Sequence, residues 1–304
     1  MEKVLITGGS GFIGSHVVDK FIANNYEVVV VDNLVTGNYK NIDGKKLTFV
    51  NEDIRNIKKL EEIFVNNKIS HVIHMAAQVS VSASVENIKY DAEENIIALI
   101  NILELSKKYG IKKVLFSSTA AVYGIPEEVP SKENNKTNPL SPYGLSKLVG
   151  EEYLKMYSKL FGVNYVILRY ANVYGPRQSA HGEAGVVSIF NDKIKEKSDI
   201  FIEGDGNQTR DFVYVKDVAN ANYLCTVEDV KNEILNVSTN TEISIVNLFN
   251  TMKKYSGYEK EALHKEERIG DIRHSKLDNS KLKSLTSWEP KFDLENGLKE
   301  YLQG

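Results

Sequence analysis

Thr7-Gly8-Gly9-Ser10-Gly11-Phe12-Ile13-Gly14 joins the apolar run Val4-Leu5-Ile6 to a helical pattern that reaches Asn24. The spacing is G-x-x-G-x-x-G. Gly8 permits a tight turn, Gly11 lets a pyrophosphate approach the backbone, and Gly14 lets helix and strand pack closely. The helix reads from Gly14 to Asn24; the unpaired N–H groups of its N-terminal end, with Phe12 and Ile13 just ahead of it, face a phosphate. A glycine cluster alone signals only a turn. A strand before it, a helix behind it and an acid downstream make it a dinucleotide site.

That acid is Asp32, which ends the second strand (Glu27 to Val31) eighteen residues past Gly14. A carboxylate there accepts hydrogen bonds from both adenosine ribose hydroxyls and repels a 2′-phosphate. Asn33 follows it, and residues 33–37 contain no arginine or lysine. NAD is therefore expected rather than NADP.

Working outward, apolar runs at Leu47 to Val50, His71 to His74, Lys113 to Ser117 and Tyr165 to Arg169 read as strands. Helical patterns at Ile57 to Asn66, Asn87 to Tyr109 and Ser141 to Leu160 alternate with them. This alternation predicts an α/β fold, a Rossmann-type doubly wound parallel sheet over residues 1–170. After Tyr170 the loops lengthen and strand candidates become isolated, which predicts a smaller, mostly C-terminal lobe over 171–304. A segment near 234–238, around Leu235-Asn236-Val237, is placed to rejoin the main sheet.

The bulk numbers agree with such a domain. The chain has 304 residues, 42% hydrophobic and 26% charged, with a net charge of -3. No basic field suits a nucleic-acid backbone. Cys225 stands alone, so no intramolecular disulfide forms, and it reads as a small buried apolar residue. Lys3 to Ile6 leads straight into the glycine turn, which is no signal peptide, and no apolar run reaches membrane-spanning length. A cytoplasmic protein without membrane contact is expected. His181 and the other histidines form no metal-like cluster, so no metal is expected.

Tyr143 and Lys147 are four residues apart and share a helix face. Ser141-Pro142 gives that helix a capped start. Tyrosine is a poor base at its reference pKa of about 10, but a neighbouring ammonium and a cationic nicotinamide both favour the phenolate. Lowering that pKa by roughly three units needs about 4 kcal/mol of differential stabilisation. A Y-x-x-x-K pair is common on solvated helices; its context makes it specific. That context is Phe116-Ser117-Ser118-Thr119-Ala120-Ala121, just after the fifth strand, where parallel sheets place ligands. Thr119 is suited to hydrogen-bond a substrate hydroxyl and relay its proton, while Ser117 stands on the cofactor side.

Over essentially its whole length the chain resembles the extended short-chain dehydrogenase/reductase family, and within it the UDP-galactose 4-epimerases. The glycine turn, Asp32, the Ser-Ser-Thr segment and Tyr143-Gly-Leu-Ser-Lys147 fall in family order and spacing. The resemblance implies that Tyr143 is the catalytic base, Lys147 its partner and Thr119 the relay. It implies that Asp53 and Ile54 hold adenine, that Ala76, Ala77 and Gln78 line the pyrophosphate and nicotinamide side, and that Asn95 fixes that loop. It further implies a nucleotide-sugar site in the C-terminal lobe. There Asn172 contacts the diphosphate, Val186 and Val187 pack on the pyrimidine, Arg210 and Arg268 grip the phosphates, and Asp271 accepts from the uridine ribose. Val79 stands where some family members carry a lysine, which leaves the hexose contact open around Ser80 and Val81, with Ser80 the candidate; a homodimer is expected through the helices Asn87 to Tyr109 and Ser141 to Leu160.

Related dehydratases and decarboxylases usually carry an acid just after the hydroxyl residue. Here Ala120 and Ala121 follow Thr119, so elimination lacks a proton donor and epimerisation is the branch implied. The expected reaction inverts C4 of UDP-glucose or UDP-galactose through a 4-keto sugar, with NAD held tightly and regenerated in each cycle. Ser275, four residues after Asp271, replaces the bulky tyrosine of epimerases restricted to unsubstituted sugars. It leaves room for the N-acetyl group of UDP-GlcNAc and UDP-GalNAc. The rivals are a UDP-glucuronate 4-epimerase, with Arg177 or Arg273 for the carboxylate, and a net sugar reductase with exchangeable cofactor. A non-catalytic NAD-binding sensor is a third, but it would be expected to lose Tyr143, Lys147 or Thr119.

Overall fold

The computed structural model describes residues 2–179, 185–267 and 272–303. Six strands of the first half, β1 (Lys3–Thr7), β2 (Glu27–Asp32), β3 (Thr48–Asn51), β4 (His71–His74), β5 (Lys113–Thr119) and β6 (Tyr165–Tyr170), form one sheet with a returning strand, Glu233–Val237. From one edge the order is returning strand, β6, β5, β4, β1, β2, β3. Every pairing is parallel; Ile6 lies opposite Val30 on one side and Ile73 on the other, and Leu235 lies opposite Leu168. The order reverses between β1 and β4, which opens a crevice at the strand C-terminal ends.

Strands buried on both faces read as continuous apolar runs, and β1 follows this rule: Val4, Leu5 and Ile6 are all inaccessible. Val4 and Ile6 pack with Val17, Val18 and Phe21 of helix α1 (Phe12–Ala23). Leu5 faces the opposite layer with Leu60, Leu99, Ile102 and Leu154. That layer is built from α2 (Ile57–Asn67), α5 (Ala98–Lys108) and α6 (Pro142–Phe161), with the short α3 (Val81–Glu86) and α4 (Ile88–Ala92) leading into α5.

Two features differ from the sequence expectation. The helix expected from Asn87 to Tyr109 is interrupted by a π turn, Glu93–Ile97, between α4 and α5. Such wide turns cluster at functional sites, and this one carries Asn95. Second, more of the C-terminal half than the returning strand belongs to the main core. Helix Val215–Val227 covers the α1 face, where Val218, Ala221 and Cys225 join Leu282 and Trp288. The Trp288 indole donates to the carbonyl of Asp217 at 2.9 Å. Cys225 is fully buried, and burial pushes its thiol up to about 12. The remaining lobe has its own core of Tyr174, Phe190, Tyr214, Phe249, Met252 and Leu298.

Candidate active site

The glycine turn sits at the C-terminal end of β1. Gly8 adopts a left-handed φ of +69°, and a Cβ there would meet the Ala76 backbone at 2.7 Å. A Cβ on Gly14 would come within 2.1 Å of the Gly8 carbonyl oxygen, so the turn folds directly over the first helical residues. Gly11 caps α1 without offering a side-chain acceptor. The first-turn amides are therefore left to a ligand. Sequence reasoning passed over Ser10, whose hydroxyl is buried without a hydrogen-bond partner among the described residues.

Asp32 is nearly buried, and burial raises its pKa. Its two oxygens accept from the amides of Ser10 and Leu34, each at 2.9 Å. These bonds hold it still and leave further lone pairs for ribose hydroxyls. Gly37 lies against it, where a Cβ would stand 2.6 Å from one carboxylate oxygen. Asp53 lies nearby, bridged to Asn33 at 3.4 Å. The Arg55 guanidinium grips it at 2.6 Å and holds its carboxyl below the usual range. Ile54 is buried beneath.

Beyond β4, Thr7 accepts from the amides of Met75 and Ala76 at 3.2 Å and lies 2.8 Å from Nδ1 of His74. Burial drives the His74 pKa down to about 3, so it is neutral. The Ala76-Ala77-Gln78 loop is then pinned by Asn95. The Gln78 amide donates to the Asn95 carbonyl oxygen, and Asn95 Nδ2 donates back to the Gln78 carbonyl, both at 2.9 Å. Ser80 accepts from the Ala83 amide at 3.1 Å and so caps α3.

Helix α6 begins as its sequence dictates. Ser141 accepts from the Gly144 amide at 3.1 Å, and Pro142 occupies the first turn. Tyr143 is half-buried and Lys147, one turn on, is 3% exposed. Lys147 Nζ donates to the Ser117 carbonyl at 2.9 Å and lies 4.9 Å from the Phe116 ring centre. Burial pushes its pKa down to about 8. Thr119, at the end of β5, accepts from the Ala121 amide at 3.2 Å and keeps its hydroxyl proton to give. Beneath this surface, Glu151 accepts from Ser118 at 2.6 Å and from Arg169 at 2.9 and 2.6 Å. Neither Glu151 nor Arg169 was singled out from the sequence. Together they tie α6 to β5 and β6.

The expected substrate residues are less uniformly gathered. Asn172 is exposed at the start of the short strand Asn172–Tyr174, and its amide donates to the Asp211 carbonyl at 2.9 Å. Val187 is 2% exposed and belongs to the lobe core; Val186 beside it is only partly covered. Arg210 donates to the carbonyls of Thr209 and Ile272 at 2.8 and 2.6 Å. Ser275 is half-buried. Arg268, Asp271 and His181 lie outside the described residues. Asp211, another residue the sequence reading left without a role, is buried and accepts from Thr239 and Asn240 at 2.8 to 3.0 Å. Burial raises its pKa to about 6. Arg177 and Arg273, the two groups offered for a uronate, are committed to Asp19 and Asp205, each at 2.7 Å. Among the described residues no group of three or more His, Cys, Asp or Glu is placed to hold a metal, and no helix is long and apolar enough to cross a membrane.

Residues 4–238 match the model of the NAD dependent epimerase/dehydratase family. The chain belongs to that family. Its relatives match along nearly all of their length. The "Putative UDP-glucose 4-epimerase" of Methanocaldococcus jannaschii is 52% identical over 297 residues, covering 97% of this chain and 96% of its own. The crystal structure of the Thermotoga maritima UDP-glucose 4-epimerase with UDP-glucose superposes with a TM-score of 0.96 at 44% identity, covering 99% of this chain and 97% of that one. The UDP-N-acetylglucosamine 4-epimerase of Methanobrevibacter ruminantium, in complex with UDP-N-acetylmuramic acid, gives 0.94 at 37% identity, with 99% and 97% covered. The family's cofactor fits the residues present. The tight glycine turn with its uncapped helix start and the fixed Asp32 carboxylate offer what a pyrophosphate and an adenosine ribose require.

Proposed function

We propose that this protein is a UDP-hexose 4-epimerase, and that one juxtaposition carries the reading. Lys147 is buried on the Ser117 carbonyl, one helical turn from Tyr143 and two residues along β5 from Thr119. The names of its relatives support a UDP-sugar as substrate.

In this reading Gly8, Gly11, Phe12, Ile13 and Gly14 hold the pyrophosphate and Asp32 the adenosine ribose. Asp53 and Ile54 border the adenine, and Ala76, Ala77 and Gln78 border the nicotinamide. When bound, NAD+ would supply reversible hydride-transfer chemistry at C4 of the sugar. The protein's own work is proton transfer and positioning. The Lys147 ammonium favours the Tyr143 phenolate, which takes the C4 hydroxyl proton while Thr119 hydrogen-bonds the same oxygen. The resulting 4-keto sugar is anchored by its nucleotide in the C-terminal lobe, through Asn172, Arg210, Arg268 and Asp271. Its hexose is thus free to present the opposite face. Tyr143 then returns the proton. Ala120 and Ala121 provide no acid to expel water, so the cycle closes as an inversion.

An apolar stripe on α6 supports a homodimer. Leu145, Met156, Leu160 and Phe161 are each 45–61% exposed, and Ile97 of the neighbouring π turn is 50% exposed. Exposed apolar side chains on both of the helices expected at the contact favour an interaction surface there. Sedimentation at micromolar concentration should give twice the chain mass, and a monomer would remove the dimer from this reading.

The decisive test of activity is incubation of the purified protein with UDP-glucose and no added NAD, followed by proton NMR of the sugar. Formation of UDP-galactose is expected. Strict dependence on external NADH, or no C4 epimer from any UDP-hexose, would overturn the reading.

A further inference from the structure

Lys147 does its work only while protonated, yet its burial opposes the charge. Strand β5 offers it a carbonyl and an aromatic ring. Strand β4 offers His74, which is neutral. Its own helix offers Tyr143. The acid whose field acts on it is Asp91, from α4.

Asp91 is 1% exposed, a costly place for a carboxylate unless it is paired or hydrogen-bonded. One of its oxygens accepts from Gln78 Nε2 at 2.9 Å and from Asn95 Nδ2 at 3.0 Å. The same Asn95 nitrogen lies 3.1 Å from the hydroxyl of Ser146, the residue preceding Lys147. A single carboxylate thus joins the nicotinamide-side loop, the π turn and the reactive stretch of α6.

We propose that Asp91 is a positioning residue of the reaction, a buried counter-charge that keeps the Lys147 ammonium protonated while holding Gln78 and Asn95 in register with α6. The inference rests on the assignment of Tyr143 and Lys147 to proton transfer. Asp91 has no contact with the sugar in this scheme. It acts through Lys147: without its charge the ammonium gives up its proton at lower pH, and the tyrosinate loses its partner sooner as pH rises.

Asp91→Asn separates charge from scaffolding, because the amide oxygen still accepts from Gln78 and Asn95. In protein carrying 13C-labelled lysine and its co-purified cofactor, the 13Cε signal of Lys147 is assigned by its loss in Lys147→Arg and followed against pH. The wild-type midpoint is expected at about 8. In Asp91→Asn it should fall by at least about half a pH unit. The alkaline limb of kcat should move the same way, with KM for the UDP-sugar little changed. Ser146→Ala, which breaks the link to Asn95 but keeps the charge, should leave the midpoint in place. An unchanged midpoint in folded Asp91→Asn, or an equal fall in Ser146→Ala, would overturn the proposal. Should Asp91→Asn not fold, Asp91→Ser, also uncharged and smaller, gives the same reading. Absence of turnover in the wild type counts against the epimerase assignment and leaves the lysine titration readable.

Discussion

The Lys147 ammonium and the Ser117 carbonyl oxygen are 2.9 Å apart, and this bond pins the first turns of α6 to the end of β5. Tyr143 and Thr119 project from the two elements so joined. In the proposed scheme, replacing Tyr143 by Phe removes the proton acceptor. The turnover number should fall by about 10²- to 10⁴-fold, while the protein still purifies with nicotinamide cofactor. Rate measurement paired with chromatography of the released cofactor checks both halves. A variant with near-normal turnover would remove Tyr143 from the mechanism.

Lys147 also leaves a mark on stability. Its folded pKa of about 8 lies below the lysine reference of about 10.4. Below pH 8 it is charged in both states, and its buried charge destabilises the fold. Between about pH 8 and 10.4 the unfolded chain binds the extra proton, so this group's contribution to stability rises with pH. Comparing wild type with Lys147→Met in urea at pH 7.5 and pH 10 should move the difference toward wild type by on the order of 2 kcal/mol. A pH-independent difference would contradict the buried, depressed lysine.

Arg169 and Glu151 are 2% and 0% exposed and paired at 2.6 Å. Arg169→Met strands a carboxylate in the interior and should cost about 3–5 kcal/mol of unfolding free energy. Adding Glu151→Leu removes the stranded charge and should restore much of that loss. Denaturation midpoints of the single and double variants decide the point, and additive losses would mean that the pair is not coupled.

Ser275 bears on which sugar is accepted. Ser275→Tyr should lower the rate with UDP-N-acetylglucosamine at least about tenfold relative to UDP-glucose, the scale expected of a steric pocket contact. The measurement is the ratio of the two kcat/KM values. An unchanged ratio would show that the acetyl group is accommodated elsewhere.

The parts legible from sequence were those with short-range causes. The run Val4-Leu5-Ile6 ahead of the glycine turn announces a buried strand and a helix start, and Ser141-Pro142 announces the start of α6; the structure has each within a residue or two. Asn95 was named through resemblance; in the structure its side chain exchanges hydrogen bonds with the Gln78 backbone. What escaped depends on contacts distant in sequence. Asp91 and Glu151 each stand among other acids on a helix, and only the packed helices reveal that both are buried. The π turn has no local signature, since its residues fit an ordinary helix. Helix Val215–Val227 was not placed on the main sheet because its partner is α1, some two hundred residues earlier.

The returning strand Glu233–Val237 and the Trp288 anchor have a consequence for biosynthesis. While the first 170 residues emerge from the ribosome, β6 has an open edge and the α1 face of the sheet lacks its cover. Docking must wait for residues near 288, almost the end of translation. The two halves are therefore one folding unit, and a fragment ending near residue 170 should aggregate rather than survive as a small folded protein.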